Sequence, residues 1–327
     1  MEYTYKRLDI RCYLQSLYDD GLNRSTKYTD DELFLIIQDI GIFRFKGYVK
    51  AFRNNISNYS IDFIIDIHNL DREISSKLFK MTSQIEIKLK SILIETVYNL
   101  TDNPFCYLLK SNYKNDFTMP FDSIQDWEMK PTNAEQKKKS EVYLHYRDYY
   151  LNTYSFISNK VKYTLDDKSI VKISNSSSLD INFPPFHYFI ENITLGVLIN
   201  IISQLTIDTN DILKIIGKQF GFYNSSVFLN YLLRLKEVRN RCAHNGRLFN
   251  RNYRGIKAIG IHQTFRKVIY EHKLIDVYLS FLYMINDNIN IKNVNELMTK
   301  FEDEIIGQYD SSLKSFVMDF LRIKKTR

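Results

Sequence analysis

Residues 238–251 read VRNRCAHNGRLFNR. Arg239 and His244 stand five positions apart, and Asn240 precedes the histidine by four. An imidazole titrates near neutrality and can act as general acid or base. A guanidinium stays charged, grips phosphate through two N–H groups and stabilises charge that builds at phosphorus. On a helix, Asn240 and His244 share a face, where the amide can fix the imidazole's tautomer and orientation. RNA carries its own nucleophile, the 2′-hydroxyl. Once deprotonated it attacks the adjacent phosphate and leaves a 2′,3′-cyclic phosphate. DNA lacks that hydroxyl and resists. The chemistry needs no metal and no cofactor.

The surroundings are cationic. Arg234, Lys236, Arg239, Arg241, Arg247, Arg251 and Arg254 face only Glu237 in this window, and Asn245, Asn250 and Tyr253 add donors. Such a patch suits RNA phosphates. A solvated helix end accounts for the same residues without any chemistry. On a straight helix, five residues turn through about 140°, so Arg239 and His244 would not meet. Either the helix ends near His244, which Asn245–Gly246 permits, or the pair is completed across a symmetric dimer.

Helices must position these groups. Ten glycines and five prolines in 327 residues predict long helices and short connections. A helix opening at Asn224–Ser225 turns Phe228, Leu232, Leu235 and Val238 inward. Arg239, four after Leu235, then sits at the edge of the buried stripe, directed into a cleft or an interface. Residues 66–97 carry the clearest helical period: Ile67, Leu70, Ile74, Leu78, Met81, Ile85, Leu89 and Ile92 recur at steps of 3 and 4. Asp71, Arg72, Lys77, Lys80, Glu86 and Lys88 are read onto the other faces. A helix over 29–41 is capped by Thr29 or Asp30 and stopped by Gly41. In the following segment Arg44, Lys46, Lys50 and Arg53 alternate with Phe43, Phe45 and Tyr48, a second candidate RNA surface.

Pro184 and Pro185 forbid helix before about 190, and helices are predicted across 190–205 and 209–219. The C-terminal part is again helical in period. Residues 111–182 differ: they are polar, then basic, then aromatic, and VKYTLDDKSIVKI at 161–173 reads as a hairpin. The expected organisation is an N-terminal helical half (1–110), an insertion or lid (111–182) and a helical half bearing the Arg/His motif (183–327). Within the insertion, Trp127 is expected to pack and QKKKS at 136–140 to be a solvated run.

Apolar residues make up 44%, enough for a proper core, and the formal charge of +7 suits a polyanionic partner. Three cysteines without CxxC spacing predict neither a disulfide framework nor a zinc site, and a reducing cytoplasm follows. His68, His145, His187, His262 and His272 lack metal-ligand spacing and are read as structural or exposed. No signal peptide is visible, and the greasiest run, ITLGVLINII at 193–202, is about half the ~20 residues of a membrane span. No membrane partner is expected.

The segment RNRCAHNGRLFNR (239–251) resembles the R-N-x-x-A-H-x-x-R-x-x-N-R signature of Abi-like abortive-infection proteins of the AbiD/AbiF type, members of the HEPN superfamily. DIGIFRFKGYVKAFR (39–53), IHNLDREISSKLFKMTSQIEIKLKSIL (67–93) and ENITLGVLINII (191–202) are similar to further elements of that family, in the same order. The family's tyrosine-rich igYyRl element reads GIFRF here, and a position often arginine is Lys90.

The resemblance implies an all-α, HEPN-type helical bundle, with an extra N-terminal helical half and a small mixed insertion. It implies a homodimer with two Arg/His motifs facing each other. It also implies a metal-independent endoribonuclease, used as a toxin in phage defence and restrained by a small non-coding RNA. Carried over by position, Arg239 and His244 are catalytic and Asn240 orients, while Arg247, Asn250 and Arg251 match signature positions. A non-catalytic HEPN protein that holds a structured RNA is the alternative, and a helical partner-binding scaffold is a third reading.

Overall fold

The protein, described by a computed structural model, is all-α. The structure describes residues 9–114, 118–119, 172–173, 185–265, 271–285, 294–307, 313 and 316. In chain order the helices are α1 (Ile10–Asp19), α2 (Asp30–Ile40), α3 (Ile42–Val49), α4 (Ile61–Tyr98), α5 (Phe186–Asn192), α6 (Leu195–Gln204), α7 (Ile212–Gln219), α8 (Ser225–Ala243), α9 (Gly260–Phe265), α10 (Leu274–Ile285) and α11 (Val294–Phe301). A π-helical turn, Glu302–Ile306, follows α11. Two short strand pairs accompany them: β1 (Thr118–Met119) parallel to β2 (Lys172–Ile173), and β3 (Thr206–Ile207) antiparallel to β4 (Asn210–Asp211). The chain forms two units, Met1–Thr82 with Glu237–Arg327, and Ser83–Lys236.

In the first unit α2 begins with a capping box. The Thr29 hydroxyl accepts the Glu32 N–H, and the Glu32 carboxylate accepts the Thr29 N–H at 2.8 Å. Gly41, at φ +85°, lets the chain turn directly from α2 into α3. The first part of α4 buries Ile67, Leu70, Ile74, Leu78 and Met81 of the predicted stripe, and ahead of them Ile61 and Ile64, which the prediction did not include. An aromatic cluster sits beside it: Phe52 stacks on Phe249 with ring centroids 6.0 Å apart, and Phe63 meets Phe316 edge-on at 5.0 Å. The motif loop after α8 is therefore anchored in this unit's core.

The second unit continues α4, where Ile85, Leu89, Leu93 and Val97 are buried. The stripe passes from Leu89 to Leu93 rather than to Ile92, which is half-buried. One helix predicted across 190–205 is two, and the first begins at Phe186, ahead of the predicted start, because Pro185 stands before the helix, where its missing N–H costs nothing. Ile193 leaves helical geometry at ψ 154°, and the Thr194 hydroxyl accepts the Val197 N–H, starting α6 afresh. The helix predicted from 209 starts at Ile212, because Asp208 and Thr209 turn the chain at positive φ between β3 and β4 and Asp211 caps α7. The predicted hairpin over 161–173, apart from residues 172–173, lies outside the described residues, as do Trp127, residues 136–140 and His145. Among the described residues no helix is long and apolar enough to cross a membrane.

Candidate active site

The last turn of α8 delivers the motif. His244 donates its N–H to the Asn240 carbonyl at 3.0 Å, Asn245 to Cys242 at 3.1 Å and Gly246 to Arg241 at 2.6 Å. Asn245 sits in the left-handed region at φ +54°. Paired bonds from the two residues past the helix to its last turn define a Schellman cap, with asparagine where glycine is usual. His244 is thus the cap residue itself, and it is exposed. A Cβ on Gly246 would stand 3.2 Å from the Arg241 carbonyl oxygen and 3.4 Å from its Cα. We expect Gly246→Ala to lower stability by about 1–3 kcal/mol by forcing this backbone apart, measured as the shift of a denaturation midpoint.

Arg239 is half-buried, as its place at the stripe's edge predicted. Phe228, Leu232, Leu235 and Val238 are fully buried. Because the His244 N–H still makes a helical bond, the helical turn of about 140° between Arg239 and His244 applies to this chain. The two side chains leave α8 in different directions. Asn240 is half-buried, and among the described residues it and His244 are joined through the backbone rather than by a side-chain bond.

The loop after the cap is clamped to α4 by two adjacent residues. The Asp71 carboxylate accepts the Leu248 N–H at 3.1 Å, the Phe249 N–H at 2.7 Å and the Tyr48 hydroxyl at 2.6 Å. Arg72 donates to the Asn245 side-chain oxygen. The Tyr253 hydroxyl ties the Leu248 carbonyl from the other side at 3.0 Å. Asp71 is 4% exposed, which corrects its assignment to an outer face. Burial pushes its carboxyl above the usual carboxylate range, against the pull of Tyr48 and the two amides. Tyr48, Asp71 and Arg72 were not among the predicted site residues. A signal for Asp71 was present: it lies four after Ile67 and three before Ile74, so it keeps step with the apolar stripe. An acid at a core step needs donors, and these proved to be the motif loop.

The predicted basic residues fall into distinct places. Arg234 is 0% exposed, so its assignment to an RNA surface is corrected: it is a core residue of the second unit. Lys236 is half-buried against Gly196, in the first turn of α6. Arg241 pairs with Glu237 at 3.1 Å, one helical turn away. Glu237 also accepts the Arg254 backbone N–H at 3.2 Å. Asn245, Asn250, Arg251 and Arg254 are exposed. The half-buried Arg247 guanidinium lies 5.7 Å from the Tyr48 ring centroid.

The 42–53 segment divides. Arg44 is exposed and, with Arg72, disfavours the charged form of His68; burial is the larger cause of that depression. His68 meets the edge of Tyr48 at 5.4 Å. Arg44 thus belongs with the motif loop's cations. Lys46, Lys50 and Arg53, at helical steps of 4 and 3, line a separate groove of about 760 Å³ between α1 and α3, together with Asp9 and Asp20. Lys46 also lies 4.8 Å from the centre of the Tyr13 ring. Under the motif loop a cavity of about 30 Å³ is lined by Leu70, Leu248, Phe249 and Arg251. It has space for a water or two and none for a nucleobase. Among the described residues no three His, Cys, Asp or Glu side chains cluster as a metal site would require.

A family model described as Abi-like protein matches residues 35–250, a span from α2 to the loop that Asp71 clamps. No curated protein and no solved structure matches the chain.

Proposed function

This chain belongs to the Abi-like protein family, and from that premise we propose that it is a metal-independent HEPN endoribonuclease. It acts as a toxin in abortive infection, in the cytoplasm, restrained by a small non-coding RNA. The observation that carries the reading is the end of α8, where the Schellman cap leaves His244 exposed while Arg239, five residues earlier, is half-buried. Arg44, Arg251 and Arg254 are exposed in the same unit, where their charges would attract RNA phosphates.

In this mechanism His244 takes the proton of a 2′-hydroxyl, and the 2′-oxygen bonds to the adjacent phosphorus. Charge grows on the phosphoryl oxygens, where Arg239 stabilises it through paired N–H donors. The bond to the 5′-oxygen breaks, and that oxygen takes a proton from a protonated histidine or water. The products are a 2′,3′-cyclic phosphate and a 5′-hydroxyl. Since Arg239 and His244 diverge on α8, a homodimer supplies the convergent pair, arginine from one copy and histidine from the other. Asn240, without a side-chain bond to its own His244, would orient the partner's or contact RNA.

The alternative, a non-catalytic protein that holds a structured RNA, draws on the same cations and needs no histidine. Sequencing the RNA ends produced on expression separates the two. The expected result is a set of cellular RNAs newly ended in 2′,3′-cyclic phosphate. Bound RNA with no new ends would overturn the enzyme reading in favour of the binder.

A further inference from the structure

Two guanidinium groups beside the motif loop have more donors than the fold gives them acceptors. Arg72 spends Nη2 on Asn245, and its Nη1 is buried without a hydrogen-bond partner. Arg247 has its Nη1 buried in the same unsatisfied condition, against the backbone of Gly47. A buried donor left unpaired loses its hydrogen bond to water without a replacement, and the loss is larger when the group is charged. The nearest acid does not answer them, because the Asp71 oxygens are taken by Tyr48, Leu248 and Phe249.

The two groups flank one feature. Arg247 lies over Tyr48, Tyr48 meets His68, and Arg72 follows His68 by one turn of α4. Arg72 also holds Asn245, two residues before Arg247. Arg44 and Arg251 add charge to the same neighbourhood, Arg44 acting on Tyr48 and His68 and Arg251 on Arg247. Like charges gathered where the neighbouring acid, Asp71, is already hydrogen-bonded to Tyr48, Leu248 and Phe249, and with unsatisfied N–H groups, are what an anion would stabilise. Both side chains are half-buried, so each already reaches the surface along one edge. Engaging a phosphate requires the terminal torsions to turn the inner edge to that surface.

We propose that Arg72 and Arg247 form a phosphate-binding subsite next to His244, distinct from the Arg239/His244 pair that would act on the scissile bond. Its ligand is a phosphate group with at least two oxygens directed at the two forks. The source is either an internal phosphodiester flanking the cut or a terminal phosphomonoester. The proposal rests on the ribonuclease reading for its place in a reaction, and on the two arginines for its existence.

The test uses the whole chain without RNA. Thermal unfolding is followed as inorganic phosphate replaces chloride at fixed ionic strength. Wild type is expected to gain Tm saturably with phosphate. Arg72→Lys and Arg247→Gln should weaken the apparent affinity roughly tenfold or more. Their Tm in chloride shows whether they fold, and Arg72→Lys keeps the charge while removing the fork. No phosphate-specific gain in wild type, or an equal gain in both folded variants, would overturn the subsite. Competition then assigns the source: an oligoribonucleotide with hydroxyls at both ends displaces phosphate if the source is internal, and only its 5′-phosphorylated form does if it is terminal. Displacement by neither would also overturn the proposal. A phosphate gain in a protein that cuts no RNA would leave the subsite standing and refute the enzyme reading, so the two fail separately.

Discussion

His244→Ala is expected to lower RNA cleavage by about 10²–10⁴-fold while leaving the fold intact. The imidazole is the proposed proton acceptor, and no other described histidine lies on the motif. His262 is buried against Asp276 at 2.6 Å, and His187 is hydrogen-bonded to Tyr98 at 2.7 Å. His244 is exposed and its bond to α8 is made by the backbone, which alanine keeps. The change in stability should therefore stay within about 0.5 kcal/mol. Cleavage of a labelled RNA in the presence of EDTA measures the loss, with the matching DNA as a substrate that should resist. Equal rates for wild type and variant would sink the mechanism. If the proposed dimer supplies the pair, mixing His244→Ala with Arg239→Ala protein should restore part of the activity, since one of the two composite sites is then whole.

Asp71→Ala is expected to be the most damaging single change to stability, by about 3–5 kcal/mol. It strands the Leu248 and Phe249 amides and the Tyr48 hydroxyl, each worth about 1–3 kcal/mol when buried and unpaired. Asp71→Asn is milder, because an amide has one acceptor oxygen and at least one backbone N–H stays unmet. Chemical denaturation measures both, and a loss below about 1 kcal/mol for the alanine variant would refute the clamp. The pH dependence has a defined sign. Burial raises this carboxyl in the folded protein, so above the ordinary carboxylate range the folded state holds a proton that the unfolded state has released. Stability from this group therefore falls as pH rises through that window, and Asp71→Asn should remove that limb of the profile.

The two substitutions separate chemistry from support. His244 is dispensable to the fold and proposed as indispensable to cleavage. Asp71 touches no substrate in this scheme, yet it holds the loop in which Arg247 and Asn245 take their positions. Activity lost in Asp71→Asn should be recovered at lower temperature if the clamp acts through order rather than chemistry.

Much of this protein was legible in its sequence because local rules dominate helices. The α4 stripe, the cap at Thr29 or Asp30, the Gly41 stop and the inward face of α8 each depend on residues within a few turns of one another. The end of α8 at Ala243 was legible for the same reason, since Asn245 and Gly246 bond back into the last turn. The break at Thr194 shows the limit: hydrophobic period alone ran through a residue whose hydroxyl caps a new helix. What only the tertiary structure decided is which charges are buried. Arg234 and Asp71 look like surface residues by type, and each is taken out of water. For Asp71 two of the three donors come from residues 177 and 178 positions further on, and the third from Tyr48, 23 positions before it, separations that no local pattern encodes. A buried charge is tolerated only where long-range partners meet it. The sequence named the motif, and the packing of α4 beneath its loop decided how the motif is held.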